Sequence, residues 1–369
     1  MRNITLLFVL LVLLFSCNSG GEDQIDIGLL SVFSGEGAHY GETAKTGVQL
    51  AVDEINQDGG INGKKIKIIY EDSKGTPKEA VNGFQKLVTA NEVPAILGPF
   101  YSGQVLACAP IANETETILF TGSATSDNIT NAGEFVFRTC PTNLEQSRTA
   151  AKFILDSLKD STSFIIYRNR DYGVTLRDAF IDEYSLLGGK VLGFEGIEAE
   201  ANDLRTQLLL VKNSGAKNIF AAVHYPEGGN LLNQAKEIGL NASIVGTDGG
   251  FSPELFEIAG KSANDTYWLT IGWNQEKNSD NVVQKFKNNY QQKFGKEPGV
   301  YSGLYYDAMC VLGLALKNAE SDDSEKIRKE LQNINYNGAT GTTHFDENGD
   351  VQKPYSVYKI INKKFKQIK

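Results

Sequence analysis

Residues 25–71, IDIGLLSVFSGEGAHYGETAKTGVQLAVDEINQDGGINGKKIKIIYE, decide the fold. IDIGLL (25–30) is a short apolar run of strand character. The segment 41–57 then sets Ala44, Val48, Ala51 and Ile55 on one helical face, and Asp58-Gly59-Gly60 stops that helix. KIKIIYE (65–71) is a second strand. A strand, an amphipathic helix and a further strand make a right-handed βαβ unit, which implies a parallel sheet covered by helices on both faces.

The alternation continues outward from this block. A helix at 77–89, a strand at 95–98, a helix at 103–112 and a strand at 118–120 follow. After Arg138-Thr139-Cys140-Pro141 the rhythm restarts: helix 144–158, strand 163–167, helix 175–187, strand 190–196, helix 204–214, strand 219–223, helix 231–239 and strand 243–245. Two α/β lobes are the economical reading. The last part holds a strand at 266–271, helices near 282–294, 301–318 and 325–333, and a hairpin turned by Asp346-Glu347-Asn348-Gly349-Asp350. It is too small and too late for a third core, so it completes the first two.

A chain of 369 residues with 41% apolar residues has the composition of a soluble globular protein of about two domains. The net charge of −9 disfavours a nucleic-acid partner, since an acidic surface repels a phosphate backbone. Cys17, Cys108, Cys140 and Cys310 are far apart, and His39, His224 and His344 stand alone, so no metal or redox motif emerges. Sequence leaves open whether Cys108 and Cys140 pair; Cys310 sits in an apolar helix and reads as core.

Arg2 precedes an apolar stretch, 4–15, of signal-peptide length and too short for a membrane span. It ends in Leu14-Phe15-Ser16-Cys17, which resembles a bacterial lipoprotein signal. The expectation is a leader at 1–16, lipidation of Cys17, a flexible tether at 17–24 and an exported body in the cell envelope, facing the periplasm or the cell surface. Contact with the membrane would then run through the lipid anchor only.

Three motifs invite enzymatic or calcium-binding readings and fail. Gly35, Gly37 and Gly41 form G-x-G-x-x-x-G, but Tyr40 occupies the third glycine's place in a dinucleotide fingerprint. Asp346, Asn348 and Asp350 carry their glycine at the fourth position of the loop, where an EF-hand needs it at the sixth. Ser102 lacks the flanking glycines of a nucleophile elbow. The expectation is a non-enzymatic protein with no cofactor and no metal. Ser102 and the Gly122-Ser123-Ala124-Thr125-Ser126 turn instead follow carboxyl ends of parallel strands, where α/β sheets bind small ligands and helix N-termini receive anions. Helix capping explains the same hydroxyls and stays open at this point.

The sequence resembles the type I periplasmic binding proteins, in the leucine/isoleucine/valine-binding branch that serves ABC transporters. The resemblance is carried by the block from Ile27 to Val81, then ILGPFYSGQ, LFTGSATSDNIT, FRTCP, RDYG, YPEGG, GTDGG and FDENGD, in order along nearly the whole chain. It implies two doubly wound Rossmann-like α/β lobes joined by a three-strand hinge, with lobe 1 at 24–141 plus 272–345 and lobe 2 at 142–271 plus 346–369. It implies a substrate-binding lipoprotein that holds an amino acid, branched-chain or related, between the lobes and delivers it to permease and ATPase subunits.

Residue by residue, the resemblance assigns Ser102, Ser123, Ala124 and Thr125 to the ligand's α-carboxylate, and Tyr172 and Tyr225 to closure over it. Asp248 stands where the branch has a glutamate for the α-ammonium, and Tyr40 matches a pocket aromatic. This chain departs in three ways: an aspartate replaces the glutamate, Asp127 replaces a common proline, and Phe100-Tyr101 add bulk beside Ser102. A ligand-sensing receptor component of the same fold, or an amide or aromatic acid as ligand, are the alternatives.

Overall fold

The computed structural model describes residues 24–35, 37–199, 201–272 and 281–368; the expected leader, Cys17 and the tether up to residue 23 fall outside them. The first lobe begins β1 (Gln24–Ser31), α1 (Ala38–Gln57), β2 (Lys65–Asp72), α2 (Pro77–Thr89), β3 (Ala95–Leu97), α3 (Ser102–Glu114), β4 (Ile118–Thr121) and β5 (Val136–Arg138). Its five strands are all parallel, in the order β2-β1-β3-β4-β5. Strands buried on both faces need continuous apolar runs, which is why IDIGLL and AIL read as they do.

The second lobe repeats the scheme. It contains α4 (Asn143–Phe153), β6 (Thr162–Arg168), α5 (Asp171–Leu186), β7 (Lys190–Ile197), α6 (Arg205–Ser214), β8 (Asn218–Ala222), α7 (Tyr225–Glu237), β9 (Ser243–Gly246), α8 (Glu254–Ala259) and β10 (Tyr267–Ile271). The order β7-β6-β8-β9-β10 reproduces that of the first sheet, and β13 (Tyr355–Ile361) and β14 (Lys364–Gln367) extend it antiparallel beyond β10. Between β10 and β13 the chain forms α9 (Asn281–Phe294), α10 (Val300–Ala319), α11 (Ser324–Asn333) and the small β11 (Tyr336–Gly338)–β12 (Gly341–Thr343) ladder. Nearly all of α10 is buried, packed on α1, β3 and β4 of the first lobe. The chain thus passes between the sheets three times: after β5, after β10 and after β12. Among the described residues no helix is long and apolar enough to cross a membrane.

Local reading and fold differ at several places. The start of α7 is Tyr225, not residue 231, and Gly228 and Gly229 within it serve close packing: a Cβ there would stand 2.9 Å from the Trp268 ring and 2.6 Å from Ile258. The sequence reading also passed over β5, α8, β13 and β14. Cys108, Cys140 and Cys310 are all free thiols, and burial pushes Cys140 up to about 12.

Candidate functional site

A doubly wound sheet binds ligands beyond the carboxyl ends of its strands, where the strand order reverses. Here the reversal lies between β1 and β3 in one lobe and between β6 and β8 in the other. The connections leaving those four strands carry Tyr40, Ser102, Tyr172 and Tyr225 respectively. The two ends face each other across a cavity of about 290 Å³, whose walls include Tyr101 and Ser102 on one side and Arg168, Asp171, Tyr172 and His224 on the other.

Asp248 follows β9 and is 6% exposed. Its Oδ1 accepts from Tyr172 OH at 2.7 Å, its N–H donates to Gln146 Oε1 at 3.3 Å, and its carbonyl accepts from Tyr301 OH at 3.2 Å. Among the described residues no cation lies within ion-pairing distance of it. Burial raises its pKa above the ordinary carboxylate value, with the Tyr172 hydrogen bond pulling the other way.

Two other buried acids of this chain are answered by their neighbours. Arg138 grips Asp350 with Nε at 2.5 Å and Nη2 at 2.8 Å, and Asp307 accepts from the N–H groups of Ala339 and Thr340, each at 2.8 Å. A buried carboxylate left without a counter-charge is costly, so Asp248 is the place where this interior asks for a cation from outside.

The first lobe holds the hydroxyl-rich turn and Ser102. The Thr125 hydroxyl is fully buried and has no hydrogen-bond partner. Ser102 occupies the first turn of α3 but does not cap it: the cap residue is Tyr101, and Ser102 Oγ accepts from Ser126 N at 3.3 Å. The capping reading of Ser102 therefore fails. Ser123 is spent differently, since its Oγ donates to Phe100 O at 2.8 Å and lies 3.1 Å from Tyr305 OH. The Ala124 N–H points to Thr121 Oγ1 at 3.3 Å. A 3-10 turn, Asp127–Asn131, follows these residues in place of a long helix.

The lobes touch directly. Tyr40 OH donates to Gly249 O at 2.6 Å, and the Tyr225 N–H reaches the same hydroxyl at 3.5 Å. Sequence reasoning missed Gln146, Arg168, His224 and Tyr301. His224 directly precedes the YPEGG stretch, and Arg168 ends β6, so their chain positions were the available signal. Burial holds His224 well below its usual pKa, helped by Arg168. Since Arg168 Nη1 can only donate, His224 Nδ1 accepts at 2.5 Å and the ring proton sits on Nε2.

A family model described as periplasmic binding protein matches residues 24–365. The chain is 28% identical over 347 residues to a leucine-, isoleucine-, valine-, threonine- and alanine-binding protein of Pseudomonas aeruginosa, covering 93% of this chain and 92% of that one. It is 30% identical to Leu/Ile/Val-binding protein homolog 1 of Brucella suis, with 92% of each chain covered. Among solved structures, the leucine binding protein LivK of Thermotoga maritima superposes with a TM-score of 0.89 at 29% identity, covering 94% of this chain and 98% of that one. The substrate binding protein LivJ of Streptococcus pneumoniae, in complex with isoleucine, gives 0.87 at 28% identity, with 93% and 98% covered.

Proposed function

This chain belongs to the type I periplasmic binding proteins, in their branched-chain amino acid branch, and from that premise we propose that it is the extracytoplasmic lipoprotein of an ABC importer that captures an amino acid between its lobes and presents it to the permease. The observation that carries this reading is Asp248, a buried carboxylate with no cation beside it among the described residues, while the first lobe holds the fully buried, unpartnered hydroxyl of Thr125. A zwitterion answers both. Its ammonium supplies the charge that Asp248 lacks, and its carboxylate takes the hydroxyl donors of Thr125 and Ser102. Tyr172 orients Asp248, while Tyr40 and Tyr225 close over the guest.

Lobe 1 comprises 24–141 with 272–345 and lobe 2 comprises 142–271 with 346–369 in this reading, supported by the three passages between the sheets. Each end of the ligand grips a different lobe, so binding favours the closed arrangement over the open one, and the permease reads closure. The leader 1–16 is removed and Cys17 carries the lipid, on the strength of the Arg2, apolar stretch and LFSC pattern.

Calorimetry of the purified protein against the common amino acids tests the reading. Asp248→Ala, which leaves an ammonium buried and unpaired, costs about 3–5 kcal/mol, or roughly two to three and a half decades in Kd. An amino acid bound equally well by both proteins overturns the assignment.

A further inference from the structure

The aromatic side of the cleft is already full. Tyr40 stacks on Phe100 at 4.9 Å, Phe100 meets Tyr301 at 5.0 Å, and Tyr40 meets Tyr225 from the other lobe at 5.3 Å. Open space lies instead on the other side, in the cavity that Ser102 and Tyr172 share with Lys74, Arg168 and Arg170, against one acid, Asp171. The residues that begin α2, α3 and α5, and His224 at the start of α7, line the same cavity, so their helix dipoles add positive potential to it.

Arg168 is 15% exposed, and only one of its nitrogens is engaged: Nη1 donates to His224 Nδ1 and lies 3.3 Å from Glu227 Oε1. Among the described residues its Nε and Nη2 make no hydrogen bond. That edge of a guanidinium is the fork that matches a carboxylate bidentately. The Arg168 plane is also steadied by the Tyr101 ring, 5.8 Å from Cζ, which stacks in turn on His224 at 5.4 Å. The Arg170 side chain has no ion-pair or hydrogen-bond partner among the described residues, and Lys74 keeps only a loose pair with Glu79 at 3.9 Å.

From this juxtaposition of a closed aromatic wall with an open guanidinium fork we infer that the amino acid bound here carries a second carboxylate at the end of its side chain, received by Arg168 with Arg170 and Lys74 beside it. The inference rests on the amino-acid reading and names its substrate class. The relatives named above carry uncharged amino acids in their names, and the point of departure is the bulk of Phe100, which fills the apolar side while Arg168 leaves the polar side open.

The test is calorimetry of the wild type, Arg170→Ala and Arg168→Lys against glutamate, aspartate, glutamine, asparagine and leucine, with thermal melts confirming that each variant is folded. The better acid binds at least about tenfold more tightly than its amide and than leucine, since charge-assisted hydrogen bonds carry that much. Arg170→Ala and Arg168→Lys each weaken the acid by about tenfold or more and leave the amide within about threefold, because only the acid uses the fork. Leucine binding as tightly as either acid, or acid binding that neither variant changes, overturns the inference and leaves the amino-acid reading standing. A wild type that binds no amino acid of any kind overturns both.

Discussion

Two stretches of this chain read alike and stand in the same place in their lobes. Tyr40-Gly41-Glu42-Thr43 opens α1 after β1, and Tyr172-Gly173-Val174-Thr175 opens α5 after β6. The glycine does the same work in both: a Cβ on Gly41 would stand 1.9 Å from Val32 O, and one on Gly173 2.1 Å from Arg168 O, so each helix leans on the end of its own strand. The threonine repeats as well, since Thr43 Oγ1 donates to Tyr40 O at 2.7 Å and Thr175 Oγ1 to Asp171 O at 2.9 Å.

The tyrosines then diverge. Both hydroxyls meet at Gly249, but Tyr40 comes from the opposite lobe to its carbonyl, whereas Tyr172 takes its N–H at 3.0 Å and gives its own proton to Asp248. One local pattern thus serves closure in one lobe and charge placement in the other. The difference lies in which neighbour each hydroxyl meets.

The shared part of the comparison breaks most severely at the glycines. Gly41→Ala and Gly173→Ala each drive a methyl into a backbone carbonyl and cost about 3 kcal/mol of stability, the upper end for overpacking. Thermal or denaturant unfolding measures this, and comparable losses at the two sites establish that the turns are structural equivalents. One glycine tolerated and the other not would end the equivalence.

The tyrosines sharpen the difference. Tyr172→Phe leaves a buried carboxylate short of its donor and lowers ligand affinity by about 1.5–3 kcal/mol, while Tyr40→Phe removes one interlobe bond and costs about 0.5–1.5 kcal/mol. Calorimetry on both variants separates the roles, and equal losses would erase the distinction.

Protons probe the Asp248 side alone. Burial has raised its pKa, so it takes up a proton at a higher pH than an ordinary carboxylate and then no longer attracts an ammonium. Affinity is therefore fullest above that raised pKa and falls as pH drops through it, by up to about tenfold per unit. Without ligand the sign reverses for stability: the folded state binds this proton more tightly than the unfolded one, so ionised Asp248 works against folding at neutral pH and Asp248→Asn raises Tm. A flat affinity profile from neutral pH down to about pH 4 contradicts this.

The smallest effect belongs to the rim on the Tyr40 side. His39, beside Tyr40, reaches Glu254 of the second lobe at 3.0 Å, with roughly a third of its side chain exposed (32%). His39→Ala weakens closure by about 0.2–1 kcal/mol, as exposed pairs do, and added salt shrinks the effect further.

Much of this was legible in the chain, and the failures have reasons. Strand-and-helix alternation depends on neighbours within one element, so β1, α2 and β6 fall within a residue or two of expectation. The helix expected from residue 231 begins at Tyr225 instead, its Gly228 and Gly229 packed close against Trp268 and Ile258. Of the expected site residues, Ser102 and Tyr172 line the cavity, Tyr40, Tyr225 and Asp248 join Tyr172 in the hydrogen bonds around Gly249, and Ser123 has its hydroxyl committed to Phe100 and Tyr305. Gln146 gives no local sign that it will meet Asp248, 102 positions away.

By itself the sequence determined the alternating α/β pattern, the doubling of the lobe and the hydroxyl-rich turns at the strand ends, because backbone preference and amphipathic period act over a few residues. Only the tertiary structure decided that Asp248 would be buried with no cation beside it among the described residues, that Arg168 would line the cavity, and that two like tyrosines would take different work. Charge compensation and access depend on what distant segments bring into contact, and that is settled when the lobes pack and close.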